Sequence, residues 1–139
     1  MMYLEMSRDH VHGGNGWAFS NCLWAPTKKR GRGDRWPFWT MIQDVRADDI
    51  VLHLRGIPPS ANFVGYSRAS SDGAETTGRP PSPGEWSYAE TFFRADLEGY
   101  APFRDPINLK GIFESRRSEL EAYFEANRAK NTGRSIYFL

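Results

Sequence analysis

Residues 50–67 of this 139-residue chain read IVLHLRGIPPSANFVGYS, and this stretch decides the fold class. It contains two apolar runs, Ile50–Leu54 and Asn62–Ser67, on either side of a short loop with glycine and proline. Runs of this length, bounded by turn residues and rich in β-branched or aromatic side chains, are typical of β-strands. Gly65 lies inside the second run, where a strand glycine often marks a bulge or the close approach of another group. The stretch therefore predicts two consecutive strands.

The rest of the chain carries further strand and helix signals. Asp34 can cap a helix over Arg35–Val45, in which Pro37 is tolerated within the first turn. A second helix is predicted over Ser118–Lys130, where apolar residues recur three and four positions apart. Together these elements predict an α+β fold, a small twisted β-barrel of five or six strands flanked by helices. The other candidate strands are Tyr3–Met6, Tyr88–Leu97 and Ser135–Leu139.

The composition is that of one ordinary domain over residues 1–139, since two domains would each be short of core. Net charge is only +1, from 18 basic and 17 acidic residues, whereas a protein that binds polyanions over its whole surface is usually more basic. No apolar run approaches the ~18 residues of a membrane span, and the first residues lack the features of a signal peptide. The single cysteine, Cys22, excludes an internal disulfide. These features predict a cytoplasmic protein with no membrane partner.

Two segments are predicted to be loops. Lys28–Gly33 is basic and glycine-rich, and it is either a solvated loop or a local phosphate contact on an otherwise neutral protein. Ser70–Glu85 is rich in glycine and proline, and loops of this length in a compact domain are usually functional or disordered. The basic residues of the first loop are Lys28, Lys29, Arg30 and Arg32.

Catalytic and metal-binding patterns are weak. His10 and His12 form a pair to which His53 or Asp9 could add a third metal ligand, but the spacing fits no common metal motif. We therefore expect neither a metal nor a cofactor. His53 lies in an apolar strand, which favours a hydrogen-bonded core side chain, and Cys22 lacks a neighbouring base. The sequence predicts a binding protein rather than an enzyme.

Aromatic residues are the most informative group, with 5 Trp, 6 Tyr and 9 Phe making up 14% of the chain. Trp36 and Trp39 fall in the first predicted helix, and we expect them to pack inward. Trp86 follows the proline- and glycine-rich end of the long loop, a placement that suits the wall of a pocket.

Three blocks of this sequence resemble YTH domains. Residues 16–27, GWAFSNCLWAPT, resemble the first block, in which a strand leads into a turn with tryptophan. The strand pair within residues 50–67 resembles the second block. SPGEW at residues 82–86, followed by FFRADL at residues 92–97, resembles the loop tryptophan and the strand after it. The same order of blocks describes EVE domains, which are prokaryotic relatives in the PUA-like superfamily, and it covers nearly the whole chain.

The resemblance implies a PUA-like barrel that holds a flipped, modified base in an aromatic cage. On this basis Trp24 and Trp86 would be two walls of the cage, and Tyr88 a third. Polar contacts to the base would come from Ser7, Asp9, His10 and Asn21. The nearby basic residues Lys28, Lys29, Arg30 and Arg32 would contact the nucleic-acid backbone.

The resemblance also implies a biological setting. EVE-like and YTH-like modules often begin modification-dependent restriction enzymes, so the expected partner is double-stranded DNA with a methylated base, together with a fused or partner nuclease or GTPase. One alternative is a reader of N6-methyladenine or another modified base in RNA. A second alternative is a small ASCH-like amidohydrolase, which would need a lysine and an acid converging in the pocket.

Overall fold

The computed structural model describes residues 1–7, 12–31, 33, 35, 37–57 and 60–127. The predicted strand over Ser135–Leu139 lies outside the described residues. Within them the fold is α+β. Its strands are β1 (Met2–Ser7), β2 (Cys22–Pro26), β3 (Ile50–Arg55), β4 (Asn62–Ala69), β5 (Ala74–Thr76) and β6 (Phe92–Asn108). Its helices are α1 (Pro37–Thr40), α2 (Leu109–Ser115) and α3 (Arg117–Asn127), with 3-10 turns at Met41–Asp44 and Gly84–Trp86.

The strands form one mixed sheet in the order β1-β3-β4-β6-β2, with β5 also paired to β6. β1 and β3 are parallel, with Tyr3 opposite Val51, and the remaining pairs are antiparallel. The predicted strand pair is confirmed as β3 and β4, with Leu52 opposite Tyr66. The bulge expected at Gly65 is also confirmed, because the β4–β6 register shifts there and a Cβ on this glycine would lie 2.9 Å from the Cα of Pro102.

β6 is the longest strand and connects two parts of the sheet. Its residues 92–96 pair with β2, and 92–94 also pair with β5 on the other side. Residues 97–108 pair with β4, and two register shifts interrupt this ladder. Gly99, with φ of +62°, lies in the second part, at one of these register shifts. β6 therefore connects the β2 and β5 part of the sheet to the β4 part.

The prediction of a closed barrel is wrong for the part of the chain that the structure describes, because no ladder joins β1 to β2 and these strands end the pairing order. The sheet nevertheless curls around one core. Tyr3 of β1, Val51 of β3, Leu23 of β2 and Phe93 of β6 are buried in the same cluster, which we call the main core. Large side chains thus fill the space between the two edge strands, and this packing needs no hydrogen bonds between them.

The first predicted helix is shorter than expected. In place of Arg35–Val45, the structure has α1 and a 3-10 turn that ends at Asp44, followed by extended backbone at Val45. Val45 is fully buried, and its carbonyl accepts a hydrogen bond from Gly73 N at 2.9 Å. Because that carbonyl pairs with the long loop, the helix cannot continue. The cap at Asp34 and the position of Trp36 lie outside the described residues.

The second predicted helix is confirmed over most of its length, since α3 covers Arg117–Asn127, and residues 128–130 lie outside the described residues. α2 precedes it and begins at an N-cap, Asn108, whose side chain accepts a hydrogen bond from Gly111 N at 3.1 Å. Leu109 packs with Leu54 and Ala61 in a second cluster. α2 therefore packs through Leu109 on the face of β3 opposite the main core.

Candidate aromatic site

β2 separates the main core from a cluster of aromatic side chains. Leu23 and Ala25 point into the main core, and Trp24 points to the other side because successive strand residues alternate between faces. There Trp24 meets Phe92 and Trp17 edge to face, with ring centroids 5.8 and 6.0 Å apart. We call this group the aromatic cluster: buried Trp17, Cys22, Ala89 and Phe92, with half-buried Trp24, Trp86 and Tyr88 packed on them.

Trp86 and Tyr88 reach the aromatic cluster from the segment that ends the long loop. Gly84–Trp86 is a 3-10 turn. The turn is followed by a hydrogen bond from Ala89 N to the Trp86 carbonyl at 3.0 Å. Trp86 contacts Tyr88 with ring centroids 6.4 Å apart and Trp39 with centroids 5.0 Å apart. The structure thus brings all three expected cage residues into one cluster, but Trp24 and Trp86 have different ring neighbours within it. That the two rings face each other across a pocket stays a prediction.

Tyr88 also attaches the basic loop to the aromatic cluster. Its hydroxyl donates a hydrogen bond to the Lys28 carbonyl at 2.8 Å, and burial raises the pKa of this phenol above its ordinary value. Just before the loop, the hydroxyls of Thr27 and Thr91 lie 2.7 Å apart. Lys28 and Arg30 are exposed, and Lys29 is half-buried. Positive charges therefore lie beside the half-buried aromatic rings, while Arg32 falls outside the described residues.

His12 stacks on Trp24, an arrangement that the sequence did not predict. The two ring centroids are 4.9 Å apart, and the ring planes are inclined by 22°. The next residue, Gly13, exchanges two backbone hydrogen bonds with Ser82, at 3.1 and 3.0 Å. The sequence pattern suggested only a metal-ligand role for His12. The closely spaced glycines within residues 13–16 were the sequence signal for a close approach of the backbone to other groups, because glycine permits a positive φ.

The expected polar contacts are only partly described. Ser7 ends β1 opposite Arg55 and is half-buried. Asn21 is exposed, and its backbone carbonyl accepts a hydrogen bond from Leu97 N at 2.9 Å. Asp9 and His10 lie outside the described residues. The structure therefore leaves the expected contacts to the edge of the base as predictions.

A buried polar network, separate from the aromatic cluster, connects β1, β3 and β4. His53 is 1% exposed, with Nδ1 2.9 Å from Glu5 Oε2 and Nε2 2.8 Å from Ser67 Oγ. The rings of Phe19 and Tyr100 pack edge to face on this imidazole. The interpretation of His53 as a hydrogen-bonded core side chain is confirmed. Both of its nitrogens are engaged, so it does not complete a metal site with His12.

Arg55 shares the carboxylate of this network. Its Nη1 donates to Glu5 Oε2 at 2.6 Å and to the Leu54 carbonyl at 2.9 Å, and the guanidinium lies 4.1 Å from the centre of the Phe19 ring. Arg55 is only 7% exposed. Its Nε is buried and has no hydrogen-bond partner among the described residues. Among the described residues, the Glu5 carboxylate is the group that compensates the charge of Arg55.

The Cys22 thiol is poorly suited to act as a nucleophile. Burial raises the pKa of the Cys22 thiol to about 12, so the thiolate is scarce at neutral pH. Among the residues that the structure describes, no group of three or more histidine, cysteine, aspartate or glutamate side chains is placed to hold a metal ion. Over the same residues, no helix combines the length and apolar character that a membrane crossing requires.

No protein-family model matches this sequence, and no curated protein compared with it is a significant match.

Proposed function

We propose that this chain is a nucleic-acid-binding module that recognises a methylated base, in DNA, by flipping it into an aromatic cage. The observation that carries the proposal is the joining of half-buried aromatic rings to a basic loop through the hydrogen bond from Tyr88 to the Lys28 carbonyl. Such a surface offers flat faces for a base and cations for the adjoining phosphates. The proposed role of the module is to bind nucleic acid, without a catalytic step.

Stacking is the interaction that the aromatic cluster suits best. A flipped base loses its stacking and pairing in the duplex, which costs a few kcal/mol, and stacking on aromatic rings returns about 1–3 kcal/mol per base. A methyl group adds apolar area and no hydrogen bonds, so flat apolar walls favour the methylated base. Trp24, Trp86 and Tyr88 are half-buried, so their rings are anchored by packing and still reach the surface.

Charge supports the same ligand class. Although the whole chain has a net charge of +1, Lys28 and Arg30 are exposed beside Tyr88. Local positive charge on an otherwise neutral protein fits contact with one or a few phosphates next to a flipped nucleotide. It does not fit the coating of a long polyanion.

The described fold is a small α+β domain whose mixed sheet is not closed into a barrel, so the PUA-like assignment rests on the sequence resemblance alone. The three resembling blocks lie on β2, on the β3–β4 pair, and on the segment from Ser82 to β6. Two of these blocks supply Trp24 and Trp86 to the aromatic cluster. We propose on this ground that the module is the specificity domain of a modification-dependent restriction system, with its nuclease or GTPase on a fused or partner domain.

Binding to matched oligonucleotides tests the proposal. The set comprises unmodified, N6-methyladenine, 5-methylcytosine and 5-hydroxymethylcytosine versions of one sequence, each as double-stranded DNA and as RNA. We expect tighter binding of one modified DNA than of its unmodified match, and loss of that preference in Trp24→Ala and Trp86→Ala. Tyr66→Ala is the control, because Tyr66 is an exposed ring on β4 that contacts Phe103 and lies outside the aromatic cluster. A preference for modified RNA would instead support the RNA reader, and equal binding of all oligonucleotides would refute the proposal.

A further inference from the structure

Among the described residues, His12 is the one whose ring stacks on a flat face of Trp24. The imidazole of His12 lies nearly parallel to the Trp24 ring, at 22°, with centroids 4.9 Å apart. Stacked aromatic rings have centroids about 4.5–7 Å apart, so this is direct contact with no space for a third ring between them. A base cannot stack on this face of Trp24 while His12 remains there.

The other described ring contacts of Trp24 are of a different kind. Trp17 is inclined to Trp24 by 85° and Phe92 by 63°, so both meet it edge to face. Both of these residues are buried, Phe92 completely, and they hold the indole in place from the protein side. The face covered by His12 is therefore the stacking surface that a ligand could reach by moving a half-buried side chain rather than the core.

Glycines shape the space that His12 occupies. A Cβ on Gly84 would lie 3.3 Å from Cε1 of His12, and one on Gly13 would lie 2.9 Å from Nε1 of Trp24. The two backbone hydrogen bonds between Gly13 and Ser82 hold the segments that carry these glycines together. The imidazole thus lies with one face on Trp24 and one edge near the backbone at Gly84, and we call this position the slot.

We propose that His12 fills the base slot of the free protein, and that the flipped base displaces this imidazole and takes its place on Trp24. The inference rests on the proposed function and adds the regulation of the same site. It also narrows the ligand class to a planar heteroaromatic ring, because the slot already holds one. Displacing His12 costs every ligand the free energy of the His12–Trp24 stack. A base overcomes this cost only if it stacks on Trp24 more strongly than imidazole does.

Two substitutions at His12 should act in opposite directions. His12→Ala vacates the slot, and we expect the affinity for the preferred modified oligonucleotide to rise about three- to tenfold, the range set by the strength of one aromatic pair. His12→Phe places a ring that stacks better on indole, and we expect the affinity to fall. Thermal unfolding of both variants checks that the fold is retained.

Nuclear magnetic resonance of the wild-type protein tests the displacement directly. In the free protein, the ring protons of His12 should be shifted upfield by the Trp24 ring current, and the shift should vanish in Trp24→Ala. Addition of the modified DNA oligonucleotide to saturation should remove the shift in the wild-type protein. This measurement decides the proposal even if His12→Ala fails to fold.

Failure of this inference is distinguishable from failure of the proposed function. If the modified oligonucleotide binds with preference and requires Trp24, while the His12 signals keep their upfield shift at saturation, the displacement is refuted and the modified-base reader stands. If His12→Ala binds no better than the wild type under the same conditions, the displacement is likewise refuted. If no oligonucleotide binds with preference to the wild type or to His12→Ala, both proposals fall.

Discussion

Trp39 and Trp86 meet edge to face, with ring centroids 5.0 Å apart and ring planes at 79°. Trp39 comes from α1 and packs against the main core, whereas Trp86 belongs to the aromatic cluster. This contact therefore joins the interior of the curled sheet to the proposed binding surface. Substitution of either tryptophan should therefore alter the packing of the other.

A double-mutant cycle on this pair should reveal that coupling. We expect an interaction free energy of about 0.5–1.5 kcal/mol between Trp39→Ala and Trp86→Ala in urea unfolding, the usual value for an aromatic pair. Trp39→Ala alone should cost less than the about 3–5 kcal/mol of a fully buried tryptophan, because Trp39 is half-buried. Strict additivity of the two single changes would contradict the contact.

The basic loop should contribute affinity without contributing selectivity. Replacing Lys28, Lys29 and Arg30 together by glutamine should weaken modified and unmodified oligonucleotides by a similar factor. It should also flatten the slope of log affinity against log salt by roughly two to three units, about one for each lost phosphate contact. The matched control removes three exposed charges from α2 and the start of α3: Lys110, Arg116 and Arg117. A collapse of the selectivity with an unchanged slope would mean that the loop reads the base.

Glu5 should matter more for stability than its half-buried position suggests. It accepts hydrogen bonds from Arg55 at 2.6 Å and lies 2.9 Å from His53 Nδ1, so Glu5→Ala leaves the buried guanidinium uncompensated. We expect a loss of about 3 kcal/mol in the free energy of unfolding. The double variant Glu5→Leu with Arg55→Met removes both charges and should cost clearly less. Urea unfolding that ranks the double variant as the less stable one would refute this account of the network.

Gly65 should tolerate no side chain. A Cβ there would lie 2.8 Å from Cε2 of Tyr100 and 2.9 Å from Cα of Pro102, and it would collide with the Ala101 carbonyl oxygen. We expect Gly65→Ala to destabilise the protein by about 1–3 kcal/mol. Gly111→Ala is the control, because this glycine lies in α2 with open space around it and alanine favours a helix. Thermal unfolding should shift in opposite directions for the two variants.

Cys22 should resist alkylation in the folded protein. Burial raises the pKa of its thiol to about 12, and its Sγ lies 3.8 Å from the Trp17 carbonyl oxygen. The thiol stays protonated well above neutral pH, and its nucleophilic form is scarce. Iodoacetamide at pH 8 should label the protein only after unfolding in urea, as measured by mass spectrometry. Rapid labelling without denaturant would show that β2 exposes this thiol.

The sequence predicted the local elements well because their signals are local. β3 and β4 were identified from apolar runs and a glycine bulge, and each extends at most two residues past its predicted end. The burial of His53 also followed from the apolar strand around it. The extension of β6 to Asn108 was missed, since the predicted strand ended at Leu97 and Pro102 and Pro106 argue locally against a strand.

Features that depend on distant residues could not be predicted in the same way. Closure of the sheet depends on whether β1 and β2 reach each other, which no local pattern encodes. The end of the helical segment at Asp44 depends on Gly73, almost thirty residues further along the chain, which donates to the Val45 carbonyl. Trp17 is 8% exposed, and it contacts Trp24 of β2 together with Phe92 and Arg94 of β6. The stacking of His12 on Trp24 likewise depends on how separate segments of the chain pack together.

Two hydrogen bonds near the aromatic cluster join residues that are far apart in the sequence: Tyr88 and Lys28 are 60 residues apart, and Thr27 and Thr91 are 64 apart. Closing such large loops costs entropy before any contact compensates it, so we expect these pairings to form late in folding. During synthesis, Trp24 emerges long before Phe92, on which it packs. The growing chain therefore cannot pack Trp24 on Phe92 until β6 has been made, and we expect the proposed binding surface to form together with the completed sheet.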